Sequence, residues 1–417
     1  MATKRPGPPR RLAIVTQDFT SLGGVSSVTN WLRTGLTAEG YEVDVHDLAT
    51  SSNDPSSRRI ASPSTWHSRS LRGPYAPAER VQKWGANAVE LEPIRYFPRS
   101  ELSDAIRHYD VIQVVAGGAA LANAVIGVGP PVFVQVATRV RWERRTRRAT
   151  LPPLTRIWGD AMTAWTSHLE SKALRTVDGV FVENTEMLKY SLSTGQKNAR
   201  LAPPGVDTQR FHPSGTGWRP SGYLLSVCRL AEPRKRLDRL IMAYHYLVQK
   251  DGNTPDLVMA GRGALPNDMR QLINRLGLNS RVIVENDIPV EGLPELYRNA
   301  SVYVQTSSEE GLGISVLEAM ASGLPVVSTD TAGARQCVAN MLTGYLISMD
   351  TESLTIQGIA EKIQSTRTTS AGGRMALEAR KRCEQGFSSA RALRQFTMAY
   401  DQCLADRPPQ SVKPTVA

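Results

Sequence analysis

Apolar positions along the chain follow two rhythms, and the rhythms take turns. Residues 11–17 (RLAIVTQ) and 41–48 (YEVDVHDL) carry the alternation or short apolar run of strands. Between them Val28, Leu32 and Leu36 recur on one face of a helix expected from about residue 26 to 39. Further strands are expected at 88–91, 111–115, 131–137 and 179–182, with a helix over 158–174. At 201–207 (LAPPGVD) the pattern breaks in prolines, as an interdomain linker does. A second alternation follows, with strands at 223–227, 256–260, 281–285, 301–306 and 326–328. Helices are expected at 237–250, 266–276, 293–299 and 390–404. Strands that alternate with helices build parallel, doubly wound sheets. The fold class is therefore α/β: two doubly wound Rossmann-like domains facing a cleft. The domains are expected at 11–203 and 204–387, with a helix at 388–405 crossing back to the first. Residues 1–10 are expected as a disordered leader and 406–417 as a flexible tail. Residues 49–85, rich in Ser, Pro and Arg and without periodicity, are expected as one long loop, either an acceptor-binding loop or a solvated excursion.

One stretch concentrates the chemistry. The strand at 301–306 runs into Glu309-Glu310-Gly311-Leu312-Gly313-Ile314-Ser315, and Ile314, Leu317, Met320 and Ala321 then repeat at helical spacing up to Gly323 and Pro325. Free N–H groups and the dipole at a helix start make an anion site, and Gly311 and Gly313 leave room for a ligand near the backbone. Glu310 stands before the helix and Glu318 about one turn inside it. Carboxylates accept hydrogen bonds from hydroxyls, so a phosphate cradle between two of them suits a sugar nucleotide, with Glu318 for the ribose and Glu310 for the transferred sugar. Near the N-terminus, Gly23-Gly24 opens the first helix without the GxGxxG dinucleotide pattern, and fits either ligand contact or tight packing.

Composition narrows the picture. In 417 residues, 41% hydrophobic and 21% charged content is that of a globular chain with room for two cores. No apolar run is long enough to span a bilayer, and no signal-like segment follows the basic start, so a cytoplasmic protein is expected. Four scattered cysteines form no metal pattern. The net charge of +11 favours an anionic partner. Much of it lies in one place: Arg139, Arg141, Arg144, Arg145, Arg147 and Arg148 surround Trp142. This segment is a candidate site for an anionic acceptor or for an anionic membrane surface, including the inner face of the cytoplasmic membrane; the plain alternative is a solvated face. No nucleic-acid-reading motif accompanies it, and no nucleic-acid partner is expected.

The order of these signals resembles the retaining GT-B glycosyltransferases of family four (glycosyl transferases group one) over nearly the whole chain. Gly23-Gly24-Val25, the linker Pro203-Pro204-Gly205-Val206-Asp207, the basic pair Arg229 and Lys235, the turn Gly261-Arg262-Gly263 and the spaced Glu310 and Glu318 carry the likeness. The resemblance implies a metal-independent enzyme that moves a sugar from a nucleotide-diphosphate sugar, more often UDP than GDP, to an acceptor hydroxyl in glycan, glycolipid or polysaccharide synthesis. It implies Arg229, Lys235 and Glu310 as catalytic residues. It implies Gly23, Gly24, Gly261, Gly311, Leu312, Gly313, Ile314, Ser315 and Glu318 as donor-binding residues. No metal and no cofactor besides the sugar nucleotide are expected. This chain departs from the pattern at three places: Ala137-Thr138-Arg139 replaces a histidine, Gln336 replaces a glutamate, and an extra residue makes Arg234 a rival of Lys235. The missing histidine keeps open a catalytically silent binding subunit as one alternative; a GDP-mannose-dependent mannosyltransferase is the other.

Overall fold

The computed structural model describes residues 10–19, 23–51, 53–67, 70–145 and 152–407. The rest of the expected leader and tail, with Arg147 and Arg148, lies outside them. Two sheets organise the described chain. The first joins β1 (Arg11–Gln17), β2 (Glu42–Leu48), β3 (Arg72–Ala76), β4 (Val81–Trp84), β5 (Val111–Ala116), β6 (Val132–Val136), β7 (Gly179–Val182) and β8 (Ala199–Leu201) in the order β3-β4-β2-β1-β5-β6-β7-β8. Only β3 runs antiparallel to its neighbour. The second sheet joins β9 (Tyr223–Arg229), β10 (Leu257–Arg262), β11 (Val282–Asn286), β12 (Ala300–Gln305), β13 (Val326–Thr329) and β14 (Gly344–Ile347). Its order is β11-β10-β9-β12-β13-β14, all parallel. Each sheet buries apolar side chains on both faces under helices, which is why its strands read as apolar runs.

Two expectations need correction. Residues 49–85 are not one structureless loop, because β3 and β4 lie inside them and extend the first sheet. Residues 88–91 are a turn rather than a strand: Ala88 sits at φ 47° and its carbonyl accepts from Leu91 N at 2.8 Å.

The halves are joined twice. The chain passes from the first sheet to the second through 202–207 and returns in the helix Ser389–Ala405. The two passages touch where Val206 N donates to Phe387 O and Ser389 N donates to Val206 O. Gly205 is required at this crossing, since a Cβ there would stand 2.5 Å from Ser389 Cα. The returning helix buries Leu393, Phe396 and Tyr400 in the first half's core. Phe396 lies against Trp31 and Phe181, and the Tyr400 hydroxyl donates to Gln113 Oε1 at 2.6 Å.

Candidate active site

The carboxyl ends of the second sheet's strands converge on the 307–318 segment. β12 ends at Gln305, and Ser307 to Leu312 then turn toward the first half. The helix Ile314–Ala321 begins at Gly313, which holds the left-handed conformation (φ 86°, ψ 67°) that glycine adopts without strain. The Tyr303 hydroxyl lies 2.8 Å from Ser315 Oγ and 3.1 Å from the Val227 carbonyl, and so ties this helix start to the end of β9.

Glu310 is buried in the middle of a charged cluster. Its Oε1 accepts from Lys235 Nζ and from Ser307 Oγ (2.9 Å), and its Oε2 accepts from Arg234 Nη1 (3.4 Å). Burial alone would raise the carboxyl's pKa, but the Lys235 ammonium and Arg234 guanidinium beside it hold it at about 2. Arg234 is bound further by Glu232 Oε1 (2.6 Å) and by the Glu309 carbonyl (3.0 Å). Arg229, at the end of β9, is 47% exposed and pairs with Glu232 at 2.5 Å. Two cations, Arg234 and Lys235, thus stand just before the glycine turn, and Arg229 joins them through Glu232. Both rivals, Arg234 and Lys235, contact Glu310.

Glu318 lies apart from this cluster. It lines a cavity with Ile314, with Ser27 and Trp31 of the first half's helix Gly24–Ala38, and with Gly205 and Asp207 of the linker. Gly23 and Gly24 start that helix, and open space surrounds the place where each would carry a Cβ. The Tyr297 hydroxyl donates to Glu318 Oε2 at 2.8 Å. Burial pushes the Glu318 carboxyl from its usual 4.5 up to about 7, against the pull of that hydrogen bond and of Arg210. A carboxyl whose folded pKa is raised binds its proton more tightly folded than unfolded. Its contribution to stability is therefore complete below pH 4.5 and falls away as pH rises toward 7. Melting temperatures of wild type and Glu318→Gln, followed across that window, are expected to diverge. Wild type should lose stability relative to the glutamine variant as pH rises, and parallel curves would refute the assignment.

Other residues fall into different surroundings. Gly261 closes β10 against β9: at φ 142° a Cβ there would stand 1.7 Å from the Cys228 carbonyl oxygen, so this position serves strand packing. A Cβ on Gly311 would lie 2.8 Å from the Ala137 carbonyl oxygen of the first half. The space this glycine leaves is filled by protein, which corrects its reading as room for a ligand. Leu312 is buried in the second core. In the arginine segment, Arg139 stacks over Tyr190, 3.6 Å from the ring centroid, and lies 5.4 Å from that of Trp142. Trp142 itself packs on Tyr190. Arg144 pairs with Glu92 and donates to Thr163 Oγ1 (3.1 Å), while Arg141 and Arg145 are exposed.

The contacts that bring the halves together were not foreseen. Thr138 Oγ1 donates to Glu309 Oε1 (2.8 Å), and Asn184 Nδ2 donates to the Gly311 carbonyl (2.6 Å) while Asn184 Oδ1 caps the helix Thr185–Ser193. Arg335 pairs with Glu186, and Thr185 Oγ1 donates to Gln336 Oε1 (3.2 Å). Asn184 was readable as a cap from its type and place. Its second bond, across the cleft, has no local signal. Thr138 stands within the stretch where the resembled family has its histidine, and here it reaches across to the acidic pair.

Comparison with known proteins agrees with this architecture. The chain superimposes on sucrose-phosphate synthase of Thermosynechococcus elongatus with a TM-score of 0.69 at 20% identity, over 95% of this chain and all of that one. It superimposes on Anabaena HepE, solved in complex with UDP-glucose, with a TM-score of 0.67 at 15% identity over 94% and 99%. At such identities the likeness shows the fold, two facing Rossmann-like halves of the GT-B kind. Residues 215–382 match the family described as Glycosyl transferases group 1. A D-inositol 3-phosphate glycosyltransferase of Saccharomonospora viridis is 25% identical over 375 residues, 82% of this chain and 84% of that protein. A GDP-mannose-dependent alpha-(1-6)-phosphatidylinositol monomannoside mannosyltransferase of Mycolicibacterium smegmatis is 33% identical over 190 residues. That match takes in 41% of this chain and only about half, 48%, of the relative. The whole chain thus has the GT-B fold, and its second half, over residues 215–382, is similar to the glycosyl transferases of group 1.

Proposed function

We propose that the enzyme is a retaining glycosyltransferase that works without a metal ion, moving a hexose from a UDP-sugar to the hydroxyl of a phosphate-bearing or lipid-linked acceptor held on the N-terminal side. The observation that carries this reading is the cluster of Arg234 and Lys235 on Glu310, just before the glycine turn, with Arg229 joined to it through Glu232. When the bond from the anomeric carbon to the diphosphate breaks, negative charge grows on the departing oxygens. Fixed cations and free N–H groups in a protected site then act where a metal would otherwise stand. Glu310 is held by two cations and a serine hydroxyl, so the reading gives it no covalent role. The acceptor oxygen forms its bond to the anomeric carbon as the phosphate oxygen leaves, and the acceptor's proton goes to that oxygen. Glu318, across from Ser27 in the cavity, is assigned to the ribose hydroxyls.

A second reading, GDP-mannose as donor, is favoured by the named dependence of the 33% identical relative over part of the chain. A thermal-shift panel of UDP- and GDP-sugars separates the two, because a ligand bound by the native state raises the melting temperature. Anomeric configuration of the product tests retention. Activity is expected to survive EDTA. Loss in chelator, restored by magnesium or manganese, would overturn the metal-free part of the proposal and leave the donor site standing.

A further inference from the structure

The helix Pro153–Thr176 is built inside out along its first half. From Leu169 onward it buries Leu169, Ala173 and Leu174 in the first half's core, as a surface helix should. Before that point the sides are exchanged. Gly159, Asp160, Met162 and Thr163 face the body half-buried, and Thr163 receives the Arg144 guanidinium. Ile157, Trp158, Ala161, Ala164 and Trp165 face solvent. At 100° per residue these five fall within one stripe about 120° wide. Ile157 is 67% exposed, Trp158 58% and Trp165 39%, and Phe97, 43% exposed, extends the patch by meeting Trp165 edge to face at 6.3 Å. Isolated exposed apolar residues are ordinary, but two tryptophans, an isoleucine and a phenylalanine on one face signal something that covers them.

The charges around the patch decide what covers it. Between Arg139 and Arg156 the sequence holds seven arginines and one glutamate. Arg141, Arg145 and Arg156 are exposed, and Arg139 and Arg144 are engaged within the fold. A second copy docked on the same face would bring two such arginine groups together, which like-charge repulsion opposes. An anionic bilayer supplies the opposite charge, and apolar and indole side chains on a helix lying in the interface are what its headgroup boundary accommodates. Among the described residues no helix is long and apolar enough to cross a membrane, so contact through this helix is peripheral.

We propose that residues 157–165, with Phe97 and the exposed arginines, form a membrane-docking face that inserts Ile157, Trp158 and Trp165 into the headgroup region of an anionic lipid bilayer. The helix that carries the face is tied to the stretch beside the cleft, because its Glu170 Oε1 accepts from Val140 N (3.1 Å), two residues after the Thr138 that touches Glu309. Docking there carries the N-terminal side of the cleft to the surface where a lipid-borne acceptor resides. The inference does not depend on the donor or on the stereochemistry of transfer.

Flotation of the full chain with phosphatidylcholine vesicles, with and without phosphatidylglycerol, provides the test. Wild type is expected to float with the anionic vesicles only. Ile157→Ser/Trp158→Ser/Trp165→Ser is expected to lose at least tenfold in vesicle affinity at unchanged net charge, while donor hydrolysis without acceptor stays at the wild-type level and shows that the fold is intact. Arg141→Gln/Arg145→Gln/Arg156→Gln is expected to weaken binding and flatten its dependence on salt. Flotation unaltered in the serine variant, or no flotation of wild type, would overturn the proposal. So would a dimer in sedimentation that the serine variant dissolves, which would make the face an interface between copies.

Discussion

Lys235→Met is expected to lower turnover by about two to three orders of magnitude, the loss typical of removing one fixed group that meets charge developing in the transition state. The Michaelis constant for the donor should change far less, because the ammonium matters most as the diphosphate departs. The structure adds a second effect. Lys235 and Arg234 together neutralise the buried Glu310, and removing one of them strands part of a carboxylate's charge away from water. Breaking a buried pair by deleting one partner costs about 3–5 kcal/mol, so the methionine variant should also melt lower. Arg229→Gln separates the two effects. Arg229 is half exposed and pairs with Glu232, which keeps Arg234 as a partner. Its loss should slow the reaction and leave the melting temperature nearly untouched. A raised Michaelis constant with unchanged turnover in either variant would remove the pair from the chemical step.

How much of this was legible from residues alone depends on range. Strands buried on both faces announce themselves, and β1, β5, β6, β7, β9, β10, β12 and β13 all lie within two residues of where the apolar runs put them. The segment 49–85 hid β3 and β4 because they are five and four residues long. β3 is also exposed along most of its length and carries Gly73 and Pro74, so no alternation marks it. Residues 88–91 misled in the other direction, since four residues in which Glu90 separates Val89 from Leu91 fit a strand's alternation as well as a turn. In the site, the charged partners of Glu310 were visible because Lys235 and Arg234 belong to one basic stretch. The bonds from Thr138 to Glu309 and from Asn184 to Gly311 span 171 and 127 residues, and nothing local encodes them. Gly311 shows the same limit. A glycine in a loop signals close approach, and the sequence does not say whether a ligand or, as here, the Ala137 backbone is what approaches.

Those cross-cleft bonds also constrain how the donor site is kept. Glu309, Glu310 and Gly311 are consecutive: Thr138 holds the first, Lys235, Arg234 and Ser307 the second, Asn184 the third. The turn that precedes the helix start is therefore fixed from both halves of the molecule.

Glu310→Gln is the more demanding test of the sugar-binding assignment. A carboxylate offers about four acceptor positions. Lys235 and Ser307 use Oε1 and Arg234 uses one position of Oε2, which leaves one for a hydroxyl of the transferred sugar. Glutamine keeps the size but replaces one oxygen by a donor and removes the charge. A hydrogen bond to a charged group is worth roughly 1.5–3 kcal/mol, so turnover should fall by an order of magnitude or more. Stability supplies an independent check. Glu310 is held at about 2, below its usual 4.5, so its favourable contribution is complete above pH 4.5 and is lost as pH falls toward 2. The glutamine variant should melt lower than wild type at neutral pH and approach it in acid. Lys235→Met/Glu310→Gln should recover part of the stability lost in either single variant, because no buried charge is then left without its counterpart. Turnover should not recover with it, since the cation that meets the departing diphosphate is still missing. Full turnover in Glu310→Gln, with the melting temperature lowered as expected, would leave the ion cluster as a structural device and take the sugar away from Glu310.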